Sequence, residues 1–148
     1  MIVEVDDGYD SLNELRISNI DLPPSVNKIY KSIGKGRRAL TTEGKAYKRS
    51  IIDSLIPEIV NYPSFKENQP LSLSITLHLE ALVNKGWPKK TKKRYKRIDV
   101  SNRIKLLEDA LFECLGIDDC NVISLTINKV QSDEERSHVE LTIRSCDD

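Results

Sequence analysis

The chain has 148 residues, 39% hydrophobic and 31% charged, which predicts one domain with a core of its own, ordinary for a soluble globular protein. No apolar run approaches the ~20 residues that span a bilayer, which excludes a membrane protein. The 23 basic and 23 acidic residues cancel, but they are unevenly spread. Between Lys85 and Lys105 stand ten basic residues opposed only by Asp99, a local charge of +9. A second basic stretch, Lys28 to Arg49, has eight cations against Glu43. Polyanion binding follows local charge density, because charges are screened over about 8 Å at physiological salt. The acidic opening MIVEVDDGYDSLNE lacks the basic-then-apolar character of an export signal. Cys114, Cys120 and Cys146 are odd in number and lack metal spacing, so they read as reduced thiols of a cytoplasmic protein.

In chain order, residues 1–13 are weakly patterned and predict a flexible end or an edge strand. Leu15, Ile17 and, at the limit, Asn19 alternate with Arg16, Ser18 and Ile20, a strand pattern stopped by Pro23-Pro24. Residues 25–40 have glycines and cations without periodicity and predict a surface loop. Thr41 or Thr42 can cap a helix from about Glu43 towards Tyr62, with Tyr47, Ile51, Ile52, Leu55 and Ile59 at helical spacing. Pro57 is expected to kink or end it near Ile56. Residues 71–81 alternate cleanly, Leu71, Leu73, Ile75, Leu77, Leu79 and Ala81 against Ser72, Ser74, Thr76, His78 and Glu80, the clearest strand pattern in the chain. Residues 84–97, NKGWPKKTKKRYKR, predict a long loop, of the kind that is functional or mobile in a small domain. A helix follows from about Asn102 to Leu115, with Gly116 as its C-terminal cap. Strands over 122–130 and 139–144 are joined by a polar turn at 132–135. No internal repeat or domain boundary is visible. The fold class expected is α+β, a single domain over 14–148 with a mixed β-sheet and two main helices packed on it.

The chemistry concentrates between Asp99 and Asp119. On a helix at 100° per residue, Ile104, Leu107, Leu111 and Leu115 share a face that must be buried. Asn102, Lys105 and Asp109 fall within about 60° of one another on the opposite face. Asp99 precedes the first turn, and Asp118 and Asp119 follow the helix. Carboxylates beside a polycationic loop are reconciled by a divalent ion, which takes hard oxygen ligands and bridges them to phosphate. A lysine beside it neutralises charge on a phosphoryl transition state. The same residues also allow plainer readings. Asp99 or Ser101 can be the helix N-cap, Lys105 and Asp109 an i,i+4 surface pair, and Asp118-Asp119 an ordinary turn.

The pattern Asp99-x-x-Asn102-x-x-Lys105, then Asp109-Ala110-Leu111, then Gly116-x-Asp118-Asp119-x-x-Val122 resembles the signature of the RusA family of Holliday junction resolvases. The opening Pro23-Pro24-Ser25-Val26-Asn27-Lys28-Ile29-Tyr30, Lys45-Ala46-Tyr47 further on and Lys129 in the closing strands are similar to that family too, over roughly residues 20–144. The resemblance implies an endodeoxyribonuclease that works as a symmetric homodimer and places paired nicks in four-way DNA junctions using Mg²⁺ or Mn²⁺. By position, it implies catalytic roles for Asp99, Lys105 and Asp119, metal ligation by Asp99 and Asp119 with Asp109 or Asp118 helping, and support from Asn102. Ser101 stands where the family usually has a second aspartate. A serine there removes a charge and a ligand, and suggests as the alternative a catalytically weakened protein that binds branched DNA.

For DNA contact the sequence offers Lys89, Lys90, Lys92, Lys93, Arg94, Lys96, Arg97 and Arg103, and a second set of Arg37, Arg38, Lys45 and Lys48. A block of like charge also reads as a solubilising surface. Trp87 and Tyr95 lie among these cations, where exposed aromatics can stack on unpaired bases. His78 and His138 read as surface or satisfied strand residues. The strands 71–81 and 122–130 are candidates for the dimer interface.

Overall fold

The computed structural model describes residues 1–7, 13–25, 28, 30–59, 65–66, 68–98 and 100–146. The architecture is α+β, with one mixed sheet and two main helices. The chain divides into two compact units, one of Met1–Leu22, Leu71–Ile98 and Val122–Asp148, the other of Pro23–Pro70 and Asp99–Asn121.

The first unit is the sheet. Its strands are β1 (Ile2–Asp7), β2 (Asn13–Asp21), β5 (Leu71–Leu79), β6 (Val122–Gln131) and β7 (His138–Ser145), in the order β1-β2-β7-β5-β6. β1, β2, β7 and β5 pair antiparallel and β6 joins β5 in parallel. The period-2 pattern of β5 is realised in full: Leu71, Leu73, Ile75, Leu77 and Leu79 are all buried, and the polar residues between them face the other way. Val139, Leu141 and Ile143 of β7 pair with Leu77, Ile75 and Leu73 on that apolar side.

In β2 the simple alternation fails. A register shift between Ile17 and Ile20, with Asn19 at φ 59°, returns Ile20 to the buried side with Leu15 and Ile17. Strict alternation would leave Ile20 among the polar residues; the bulge moves its parity by one, and asparagine is among the residues that adopt such a φ most readily. β6 and β7 are consecutive but not neighbours, since β5 lies between them. Their connection is tied to the end of β5: the Ser132 N–H donates to the Leu79 carbonyl at 2.8 Å, and the Glu80 N–H to Ser137 Oγ at 3.1 Å.

The second unit holds the helices α1 (Thr42–Ile59) and α2 (Ser101–Leu115) and the hairpin β3 (Tyr30–Gly34) and β4 (Arg37–Leu40). The hairpin corrects the loop expected over 25–40. Gly34, Lys35 and Gly36 all have positive φ, and this Gly-x-Gly turn closes an antiparallel pair whose side chains are mostly exposed, so no hydrophobic alternation announces it. Thr41 caps α1 by accepting the Gly44 N–H at 3.0 Å and donating to the Lys28 carbonyl. Pro57 does not end α1 at Ile56, for the helix runs to Ile59. So close to the helix end, a proline deprives few turns of their hydrogen bonding. α1 packs on α2, and Lys48 Nζ reaches Glu113 at 2.8 Å.

α2 begins after Val100, which has no side-chain cap, and ends at Gly116 with φ 66°, whose N–H returns to the Phe112 carbonyl at 2.9 Å. Ile104, Leu107 and Leu111 are buried as the spacing requires, and Leu106, Ala110 and Phe112 widen the stripe. Leu115, assigned to that face, is only half-buried. The N-cap position belongs to Val100, so Ser101 is the first helical residue and not the cap; Asp99, the other cap candidate, lies outside the described residues.

Candidate active site

Regular helical spacing places Lys105, Glu108 and Asp109 along one stripe of α2. Lys105 is exposed, while Glu108 and Asp109 are half-buried. The left-handed turn at Gly116 then brings the chain round to Asp118 and to a short 3₁₀ turn, Asp119–Asn121. Asp118 accepts the Cys120 N–H at 2.9 Å, a side-chain-to-backbone bond that shapes the turn. That bond, with others from Cys120 and Asp119, holds the Asp118 carboxyl below its ordinary range. Asp119 moves the other way. Its hydrogen bond with Asp118 raises it first, followed by desolvation and the charges of Asp118 and Asp109, with Lys105 opposing. The two carboxyls of the turn are therefore shifted in opposite directions, Asp118 down and Asp119 up.

Glu108 belongs to the same group. Burial raises its pKa most, then the charges of Asp119 and Asp109, and Lys105 again opposes. Lys105 and Asp109 thus share a stripe of α2 with Glu108, a residue not among the candidates named from the sequence, and the charges of Lys105 and Asp109 act on Asp119 in the turn beyond. The 100° arithmetic that selected Asn102 and Asp109 around Lys105 could have found Glu108, since it lies 60° to one side of Lys105.

Carboxylates crowded enough to hold back each other's protons suit a divalent cation, and oxygen is the donor that Mg²⁺ and Mn²⁺ take. The donor set therefore fits such an ion in kind. Among the described residues no three Asp, Glu, His or Cys side chains gather round one point; Asp99 is outside those residues, and of Asn102 only the backbone is described. Ser101 is exposed at the start of α2. Beside the turn, a cavity of about 640 Å³ is lined by Phe65, Leu115, Asp118, Cys120 and Asn121 among others. All three cysteines are free thiols. Asp118 raises the Cys120 thiol, and burial pushes Cys114 up to about 11, so neither is an activated nucleophile.

The cations of the first unit are arranged differently. Lys85, Lys89, Lys90, Lys92, Lys93, Arg94, Lys96 and Arg97 are all exposed. Among the described residues none of them forms an ion pair. The loop is nevertheless anchored at its neck: the Asn84 N–H donates to the Arg94 carbonyl and the Lys96 N–H to the Leu82 carbonyl, both at 2.8 Å. Arg94 lies over the Trp87 ring at 5.1 Å and the Tyr95 ring at 5.3 Å. In the second unit Arg37, Arg38 and Lys45 are exposed and Arg103 is half-buried, whereas Lys48 is engaged with Glu113. His78 and His138 stack across β5 and β7 with centroids 4.4 Å apart; His78 Nε2 lies 3.3 Å from Glu140, yet neither it nor His138 Nδ1 makes a hydrogen bond among the described residues, so they are half-buried strand residues whose ring nitrogens are not fully satisfied. No helix among the described residues is long and apolar enough to cross a membrane.

No curated protein matches the chain. A protein-family comparison does: residues 21–144, most of the chain and the whole span of the motifs above, match the family described as endodeoxyribonuclease RusA, and the chain belongs to that family of nucleases.

Proposed function

We propose that this protein is a divalent-metal-dependent endodeoxyribonuclease that resolves four-way (Holliday) junctions by paired, symmetric nicks as a homodimer. The observation that carries the reading is the placement, within a chain that matches the nuclease family over residues 21–144, of Lys105, Glu108 and Asp109 on one stripe of α2 and of Asp118 and Asp119 in the turn that follows Gly116. Asp119, Asp99 and either Asp109 or Asp118 are the residues that would hold Mg²⁺ or Mn²⁺. When bound, such an ion supplies an activated water at neutral pH and neutralises phosphate charge.

The protein's own groups do the rest. Lys105 offers an ammonium to the charge that develops on the phosphate oxygens. Asp118, fixed by the Cys120 N–H, orients its neighbour Asp119. The exposed loop cations hold backbone phosphates, which positions the strand without reading its sequence. A homodimer is supported by β6, an edge strand on which Ile123 and Leu125 stay 69% and 49% exposed. β5, the other interface candidate, is paired on both sides and has no free edge to offer. The free thiols suit a reducing, cytoplasmic setting.

A labelled four-way junction with Mg²⁺ or Mn²⁺, beside a linear duplex, tests the reading. Symmetric nicks lost in Lys105→Ala and Asp99→Asn, with junction binding kept, are the expected result. Tight binding with no product across a metal titration would make this a branched-DNA-binding protein. Ser101→Asp, which restores the family's usual aspartate, is expected to increase cutting.

A further inference from the structure

Beside the neck of the cation loop lies an open cavity that phosphate binding does not use. Val83 pairs with Tyr95, and Asn84 Nδ2 donates to the Lys93 carbonyl at 2.6 Å. Between this small ladder and the end of β6 lies a space of about 490 Å³, lined by Leu82, Val83, Tyr95, Lys129, Val130 and Gln131, within the size range of ligand pockets. Its walls are apolar side chains left open: Val83, Tyr95 and Val130 are 38%, 51% and 37% exposed. Exposed apolar side chains gathered in one place mark a binding surface more often than scattered ones do.

Gln131 stiffens the wall. Its Oε1 accepts the Leu82 N–H at 3.1 Å and its Nε2 donates to the Glu80 carbonyl at 2.7 Å, so the amide is committed to backbone and holds loop and strand in register. Arg94 lies over the Tyr95 ring at 5.3 Å, and Tyr95 also lines the cavity. The Trp87 face is also covered by Arg94, and Trp87 does not line the cavity. Tyr95, not Trp87, is therefore the aromatic presented to a ligand. Lys129 is exposed at the rim and forms no ion pair among the described residues.

A ligand for this place must be flat and apolar where it meets Tyr95 and the valines, and anionic where it meets Lys129 and the loop cations. An unstacked nucleotide has both properties. We propose that the cavity takes one nucleobase from a DNA strand whose phosphates lie on the loop, with the base stacked on Tyr95. The inference rests on the reading that this loop binds DNA, and it adds a preference for strands with unpaired bases, such as those opened at a crossover.

The test uses the full chain without metal, so that no cutting occurs. Binding of a ten-nucleotide oligothymidine is compared with that of a linear duplex at fixed salt, for the wild type, Tyr95→Ala and Tyr95→Phe. Tyr95→Ala is expected to weaken oligothymidine binding by about five- to 150-fold, the range for loss of one stacked base. Duplex binding should stay unchanged, and Tyr95→Phe should behave as the wild type. Equal losses on both DNAs, or no loss on either, overturn the proposal, as does a change in the dimer mass of Tyr95→Ala with DNA binding intact, which would assign the cavity to a second copy of the chain. A wild type that binds neither DNA would instead overturn the reading beneath it. Should Tyr95→Ala not fold, the wild type with 2-aminopurine in the oligonucleotide decides: its fluorescence must be quenched on binding, and an unchanged signal sinks the idea.

Discussion

The cation loop 80–98 and the acidic stripe of α2 stand next to each other in sequence and manage like charge in opposite ways. The loop spreads eight exposed cations over an irregular segment, where water and salt screen each from the next. α2 and its following turn hold Glu108, Asp109, Asp118 and Asp119 at spacings fixed by the helix and by the Gly116 turn, and Glu108 and Asp119 are raised, Glu108 first by burial and Asp119 first by its hydrogen bond with Asp118, with neighbouring carboxylates adding to both. An extended polyanion satisfies the first arrangement, because many weak contacts add along a backbone. The proposed divalent cation would suit the second, because a compact double charge takes several oxygen ligands at once. One polypeptide carrying both is suited to a substrate that is itself an extended polyanion attacked at one phosphate.

The acidic stripe is separated from the loop most clearly at Asp119. Asp119→Asn removes a charge from the crowded site and leaves the loop untouched. Junction cleavage in Mg²⁺ should fall by about 10²–10³-fold, the scale of a lost charge-stabilising group, while gel-shift affinity holds. Cleavage near the wild-type rate would remove Asp119 from the mechanism. Chelation of divalent ions with EDTA should reproduce the same split in the wild type.

The loop is tested by the converse change. Lys89, Lys90, Lys92 and Lys93 replaced together by alanine should weaken binding to junction and linear duplex alike. The slope of log affinity against log salt should also flatten, by about 0.9 for each phosphate that the protein no longer neutralises. An unchanged slope would return the loop to the role of a solubilising surface.

Thr41→Ala changes the fold without changing charge. It deletes the acceptor for the Gly44 N–H and the hydroxyl bond to Lys28, at about 1 kcal/mol and roughly 2–4 °C in Tm by thermal melt. The salt slope should not move; a shift would mean that α1 and its neighbours orient the DNA contacts.

How far the sequence announces all this depends on what each residue has to satisfy. β5 is legible because burial on one side forces strict alternation, and Gly116 because a left-handed helix end all but demands glycine. The β3–β4 hairpin is hidden because it buries little and is specified by its Gly34-Lys35-Gly36 turn instead. Ile20 is misassigned because a bulge changes parity without a residue type of its own. The edge position of β6 is hidden too, since Ile123, Leu125 and Ile127 alternate as if buried, yet Ile123 and Leu125 are exposed. Lys105 and Asp109 are legible from helical spacing, and so is the position of Glu108; its half-burial, the largest cause of its raised pKa, is a property of the fold that spacing does not show.

Glu108 also gives the smallest and most diagnostic effect. Its carboxyl binds a proton more tightly in the folded than in the unfolded chain, because burial and the charges of Asp119 and Asp109 penalise its ionised form. Its favourable contribution to stability is therefore complete at low pH and is lost as pH rises through the raised folded value. Glu108→Gln removes that loss. The metal-free variant should melt higher than the wild type at pH 7, by about 1–3 °C after allowance for partial exposure, and the gain should vanish at a pH below the ordinary carboxyl range. Saturating Mg²⁺ should narrow the gap at pH 7, because a bound cation relieves in the wild type the repulsion that the substitution deletes. A variant that melts no higher than the wild type at pH 7 would show that Lys105 already compensates the stripe, and that no electrostatic tension is left for a metal to relieve.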